Sequence, residues 1–265
     1  MESSPLHDRQ PIPGVENTLA VSSGKGGVGK STISVNLAVA MARAGRRVGL
    51  MDTDVYGPNI PGMVGAMGKP GLSASGDRLL PIEACGLRTI SMGSLVDPGV
   101  PVIWRGPMLA KMINQFLFQV DWGELDVLVL DLPPGTGDVQ ITLTQSAPLT
   151  GSVIITTPSD LALEDVRRGV RMFRDTEVPI FGLIENMSEF TCHQCGHRAA
   201  IFGQGGGQRT AAAFGIPFLG GVPLDPRLRE CADDGTPMVD AVPDAPASAA
   251  LRGMAAALLR SLDAS

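Results

Sequence analysis

Short apolar runs rich in β-branched residues recur along this chain, separated by stretches whose apolar positions repeat with a helical period. Residues 18–22, 47–52, 127–131, 152–156 and 181–185 are near-continuously apolar, as strands buried on both faces of a parallel sheet must be. Residues 218–222 form a weaker run of the same kind. Between the first two strands the pattern predicts a helix over 30–44, with Ile33, Leu37, Ala40, Met41 and Ala44 on its inner face and Gly45 at the C-terminal cap. Residues 161–173 and 247–262 repeat the helical period. This alternation predicts an α/β fold: a doubly wound, mostly parallel sheet with helices on both faces, whose ligands bind at the carboxyl ends of the strands. Residues 1–17 read as a flexible lead-in and 18–265 as a single domain, with a loop over the Pro/Gly-dense stretch 57–76.

Composition narrows the function classes. The 265 residues are 44% apolar and 18% charged, enough for a sizeable core and too apolar for wholesale disorder. A net charge of −6 argues against a general nucleic-acid binder. No apolar run reaches the roughly 20 residues that span a bilayer. The first 14 residues carry neither an apolar signal core nor an Arg-rich amphipathic pattern. The expectation is a cytoplasmic protein that binds neither membrane nor nucleic acid.

The string Gly24-Lys25-Gly26-Gly27-Val28-Gly29-Lys30-Ser31 matches G-x-x-x-x-G-K-S, directly after one predicted strand and directly before a helix. Glycines let the backbone curl around an anion with its N–H groups inward, and the helix N-terminus adds positive potential. Lys30 is expected to reach the β- and γ-phosphates of ATP, Ser31 to bind Mg²⁺, and Thr32 to add a phosphate contact. The chain has only four lysines, and two of them, Lys25 and Lys30, lie in this loop. Asp131 ends an apolar strand, as a Walker B carboxylate on Mg²⁺ does. Asp52 and Asp54 end another. One is expected to hold a metal-bound water and the other to orient the attacking water.

Of the four cysteines, Cys85 and Cys231 carry no spacing signal and read as inert thiols. Cys192 and Cys195 form a C-x-x-C pair in a predicted metal loop near 190–197. Two thiolates do not complete a four-ligand site. Three arrangements are therefore open: recruitment of Cys85, Cys231, His193 or His197, a redox dithiol, or two chains giving two thiolates each. Gly196 follows the pair, whereas a thioredoxin-like motif opens a helix. The string Cys-His-Gln-Cys-Gly-His also suits structural zinc.

Taken together, these residues resemble the Mrp/ApbC family of iron–sulfur cluster carrier ATPases, within the deviant Walker A superfamily of MinD, ParA and the nitrogenase iron protein. The resemblance runs from about Leu19 to Asp225. It rests on the P-loop string through Thr32, on Asp52-Thr53-Asp54-Val55-Tyr56-Gly57-Pro58-Asn59-Ile60-Pro61 and on Trp104-Arg105-Gly106-Pro107-Met108. It continues through Asp131-Leu132-Pro133-Pro134-Gly135-Thr136-Gly137-Asp138, Glu185-Asn186-Met187-Ser188 and Cys192-His193-Gln194-Cys195. The resemblance implies slow ATP hydrolysis by a homodimer that shares one 4Fe–4S cluster between its chains and delivers it to apo iron–sulfur proteins, with scaffold proteins as further partners. It makes Lys25 a second lysine reaching the partner's nucleotide, Asp54 a switch I residue that orients water, Asp131 the start of switch II, and Asn186 an adenine contact. It also implies the prokaryotic type in a short form, without the extra N-terminal domain of many members. The rival class is a MinD- or ParA-like positioning ATPase with structural zinc at the cysteine pair. The C-terminal helix, with Arg252 and Arg260 but no lysine or aromatic, lacks the basic amphipathic character a membrane anchor needs.

Overall fold

The computed structural model describes residues 10–54, 57–95, 106–135, 137–192 and 194–265, without the side chains of 106–107, 138–139 and 160–163. Val55, Tyr56, Trp104, Arg105, Thr136 and His193, all noted in the sequence, lie outside the described residues, as does most of the expected lead-in.

Seven parallel strands carry the fold: β1 (Val15–Ser23), β2 (Val48–Asp52), β3 (Leu87–Ser91), β4 (Leu125–Asp131), β5 (Gly151–Thr156), β6 (Ile180–Thr191) and β7 (Phe218–Leu224). Their spatial order is β7-β6-β5-β1-β4-β2-β3. Among the described residues two short antiparallel strands complete a nine-stranded sheet, Ile82–Ala84 against β3 and Arg198–Ala199 against the end of β6. The longer helices are α1 (Lys30–Arg43), α2 (Gly106–Phe118), α3 (Asp138–Ser146), α4 (Asp160–Asp175), α5 (Gly206–Phe214), α6 (Pro226–Asp233) and α7 (Pro246–Leu262). The expected doubly wound α/β fold is what forms.

The central strands lack polar side chains except at their ends because both faces are covered. On one face Leu19, Val21, Leu50, Val127 and Val129 pack under α1 and α7. On the other, Ala20, Met51, Leu128, Leu130 and Ile154 pack under α2, α3 and α4. Helix α1 is buried without a break from Ile33 to Met41, being covered by the sheet below and α7 above.

Several boundaries differ from expectation. Strand β1 starts at Val15 and Ile12 is buried, so ordered structure begins inside the expected lead-in. Ala44, expected on the inner face of α1, is exposed at its C-terminal cap, and Gly45 follows with φ 91°. The 57–76 stretch holds a short helix, Ile60–Met63, and a strand, Gly71–Leu72, paired with Leu79–Leu80. Strand β6 continues well beyond residue 185 to Thr191, because β7 and Arg198–Ala199 supply partners for its polar extension.

Strand order reverses around β1, with β4 on one side and β5 on the other. The crevice at such a switch point, beyond the carboxyl ends of the strands, is where a sheet of this type takes its ligand.

Candidate functional site

The loop leaving β1 lies in that crevice. Residues 25–32 all line a cavity of about 230 Å³, joined by Asp54, Asn59 and Met63, while Gly24 stands half-buried at the strand end. Gly29 has φ 80°, a left-handed conformation that suits glycine. A Cβ there would also stand 2.4 Å from Asn186 Nδ2. That close approach lets Asn186 Nδ2 donate to the Val28 carbonyl at 2.8 Å, while its Oδ1 accepts from the Met187 N–H at 2.9 Å. One N–H and one lone pair of the Asn186 amide remain for a ligand.

Below the loop, Asp131 is completely buried at the end of β4. Its Oδ2 receives Lys30 Nζ at 2.6 Å and Ser31 Oγ at 2.6 Å; its Oδ1 receives Ser34 Oγ at 2.6 Å. The ion pair sits where almost no water reaches, since Lys30 is only 6% exposed. Removing one partner of such a pair strands a charge and costs about 3–5 kcal/mol. The Asp131 carbonyl is held by Thr53, through both its N–H at 3.1 Å and its hydroxyl at 2.7 Å.

Asp52 lies directly opposite Asp131 in the β2–β4 register. It accepts from Ser91 Oγ at 2.9 Å and from the Asp54 N–H at 3.0 Å. Burial, reinforced by the neighbouring Asp131 carboxylate, pushes its carboxyl up to about 7. Asp54 lies on the cavity wall, where its Oδ1 accepts from the Gly57 N–H at 3.3 Å. Ser31, Asp52 and Asp131 thus gather oxygen donors, the hard set that suits Mg²⁺.

The cysteine pair lies elsewhere. Residues 192 and 194–197 lie between β6 and Arg198–Ala199, held by Cys192 N–H to the His197 carbonyl at 2.9 Å and Gly196 N–H to the Cys192 carbonyl at 2.8 Å. Cys195 is exposed and Cys192 partly so. The N–H groups of Cys195 and Gln194 face the Cys192 sulfur and hold its thiol below the usual range. Cys85 and Cys231 pack into or against the core under α1 and α7, where burial raises both thiols. Among the described residues no group of three or more His, Cys, Asp or Glu is placed to hold a metal ion. The pair does not open a helix; α5 begins only at Gly206.

Two contacts were not anticipated from the sequence. Ser34 is one helical turn beyond Lys30, so its hydroxyl faces the same carboxylate. The signal for it was the i, i+4 spacing from the P-loop lysine. Glu185 was part of a noted motif, yet its buried carboxylate accepting from the Gly207 N–H at 2.6 Å left no trace in the pattern.

A parallel sheet whose first strand feeds a glycine loop, with that loop's lysine paired to the adjacent strand's terminal carboxylate, defines a P-loop nucleotide-binding protein. The profile described as ParA, NUBPL iron-transfer P-loop NTPase matches residues 14–259. The chain belongs to this family. It is 47% identical over 255 residues to an iron–sulfur cluster carrier protein of Aquifex aeolicus, covering 96% of this chain and 70% of that one. It is 49% identical over 244 residues to the Escherichia coli K12 protein of the same description, covering 92% and 66%. The chain therefore spans about two thirds of the length of these relatives. Among solved structures it resembles a nucleotide-binding protein from Archaeoglobus fulgidus in complex with ADP, with TM-score 0.75, 37% identity, and 87% and 90% of the chains covered. The cell division ATPase MinD of Pyrococcus furiosus shares the fold, with TM-score 0.69 at 19% identity over 92% and 99% of the chains. Among the described residues no helix is long and apolar enough to cross a membrane.

Two outcomes follow from this geometry. Ser34→Ala removes a donor from a carboxylate with no water access and should destabilise the nucleotide-free protein by about 2 kcal/mol in urea unfolding. Asp52 binds its proton more tightly when folded than when unfolded, from an ordinary 3.8 to about 7. Stability from this group is therefore full below the lower value and is lost as pH rises through the upper one. In metal-free protein, Asp52→Asn should gain on wild type between pH 4 and pH 8 by up to about 4 kcal/mol, read from unfolding curves across that range.

Proposed function

We propose that this chain is an ATP-hydrolysing carrier that holds a 4Fe–4S cluster as cargo, shares it between two copies of itself and passes it to apo iron–sulfur proteins in the cytoplasm. The observation that carries this reading is the cysteine turn: two accessible thiols, one activated by backbone N–H groups, on a strand whose Asn186 touches the P-loop. The relatives described as iron–sulfur cluster carriers support it.

In this reading the P-loop N–H groups hold the phosphates of ATP, with Lys25, Gly26, Gly27, Val28, Gly29, Ser31 and Thr32 around them. Lys30 exchanges its buried partner Asp131 for the β- and γ-phosphates, a replacement of one charge-assisted contact by another. Ser31, Asp131 and Asp52 are the residues that would hold Mg²⁺, which neutralises phosphate charge during hydrolysis. Ser34 keeps one oxygen of Asp131 fixed when Lys30 and Ser31 turn away. Asp54, on the cavity wall, orients the attacking water. Asn186 uses its remaining N–H and lone pair for the adenine edge. Lys25 reaches the nucleotide of the second copy. A cubane cluster asks for four thiolates and one turn supplies two; a two-fold axis through the turn supplies the rest.

Lys30→Ala should lose most Mg-ATP affinity in equilibrium titration, whereas Lys25→Ala and Asp54→Ala should keep it and lose most turnover. Equal hydrolysis by Lys25→Ala and wild type in cluster-loaded dimers would sink the role across the dimer. Protein purified without oxygen should carry about four irons per two chains, seen by iron content and visible absorption. Cys192→Ala or Cys195→Ala should abolish that cluster and Cys85→Ala or Cys231→Ala should retain it. A monomer carrying a complete cluster would overturn the shared site.

A further inference from the structure

Successive side chains of a strand point to opposite faces of the sheet. On β6 this puts two neighbours in touch with two different loops. Asn186 faces the P-loop, donating to the Val28 carbonyl. Glu185 faces the other side, where its Oε2 accepts from the Gly207 N–H in the first turn of α5. Glu185 is only 4% exposed, so its carboxylate relies on that amide and on the positive end of the helix. The fit is close: a Cβ on Gly207 would lie 3.0 Å from the carboxylate oxygen.

Both arms of the cysteine turn lead back to this pair. The inbound arm is β6 itself, paired with β7 at Val222 opposite Asn186 and again at Leu224 opposite Phe190, with an irregularity between them at which Met187 takes φ 56°. The outbound arm pairs Arg198 with Thr191 and Ala199 with Phe190, then runs to α5, where Glu185 fastens it. Between arm and strand lies a cavity of about 340 Å³ lined by Glu185, Ser188, Glu189, Arg198, Gln204 and Gln208. The outbound arm therefore has room to shift without displacing a packed core.

We propose that Glu185 is a positioning residue that ties the cysteine turn to the nucleotide loop. A displacement at Val28 and Gly29 moves Asn186 and with it β6. Glu185 passes the same displacement through Gly207 to α5 and the outbound arm, so that Cys192 and Cys195 move as a unit. This rests on the reading that the P-loop takes ATP and the cysteines take the cargo. It deepens that reading by naming the connection between them.

The test uses cluster-free protein, so it stands apart from whether a cluster is carried. Alkylation rates of Cys192 and Cys195 by iodoacetamide are measured with and without saturating Mg-ATP, nucleotide binding being checked separately. Couplings of this kind typically span about 5- to 150-fold, so ATP should change the wild-type rates at least about fivefold. In Glu185→Leu the ATP response should fall to about twofold or less with ATP affinity unchanged, while Glu185→Gln, which keeps an acceptor oxygen for the Gly207 N–H, should retain it. A second measurement needs no variant: hydrogen exchange at the wild-type Gly207 amide should change about tenfold on ATP binding. Wild-type rates indifferent to bound ATP, an intact response in Glu185→Leu, or an unaltered Gly207 amide would each overturn the proposal.

Discussion

The nucleotide end of this molecule is organised around one requirement: a carboxylate with no solvent contact must be neutralised and fully hydrogen-bonded. Asp131 meets it by taking a cation and two hydroxyls from the first turns of α1. That single demand fixes the rotation of α1 about its axis, since Lys30, Ser31 and Ser34 must all face β4. It also fixes the height of the P-loop above the sheet, and so the position of the N–H groups lining the cavity. The neighbouring Asp52 is driven up by its own burial, reinforced by the Asp131 carboxylate, and Lys30 only partly offsets the rise.

Oxygen and sulfur chemistry occupy different parts of the fold. The oxygen donors stand at the centre of the sheet, under helices, where water is excluded and electrostatic interactions are strong. The thiols stand in a turn on the extension of β6, exposed enough for an exchange partner to approach. In the proposed reading, burial would serve phosphate chemistry and access would serve delivery of cargo. Cys231 is buried in the core, and Cys85, though partly exposed, packs against it with its thiol on the Val64 carbonyl.

The strands that hold the P-loop and Asp131 were legible because they are buried on both faces, which forces an unbroken apolar run. The P-loop was legible because its glycines and lysine sit at fixed spacing between a strand and a helix. Strand β3 and helix α2 were not recognised, although Leu109, Ile113, Phe116 and Leu117 follow the helical period and are buried. The extension of β6 was illegible for a physical reason: Asn186, Ser188 and Glu189 interrupt its apolar pattern, and its pairing comes from segments distant in the chain. Ser34 had a positional signal, its i, i+4 spacing from Lys30, but a serine inside a helix gains meaning only once its partner on another strand is known.

Met187 gives the extension of β6 its direction. It takes φ 56° immediately after Asn186, and from Asn186 to Phe190 four steps of β6 match only two of β7. An irregularity of this kind bends the strand and re-aims the side chains beyond it. The heading of the cysteine turn is therefore set by a backbone bend one residue from the P-loop contact, where a β-branched side chain would be poorly tolerated.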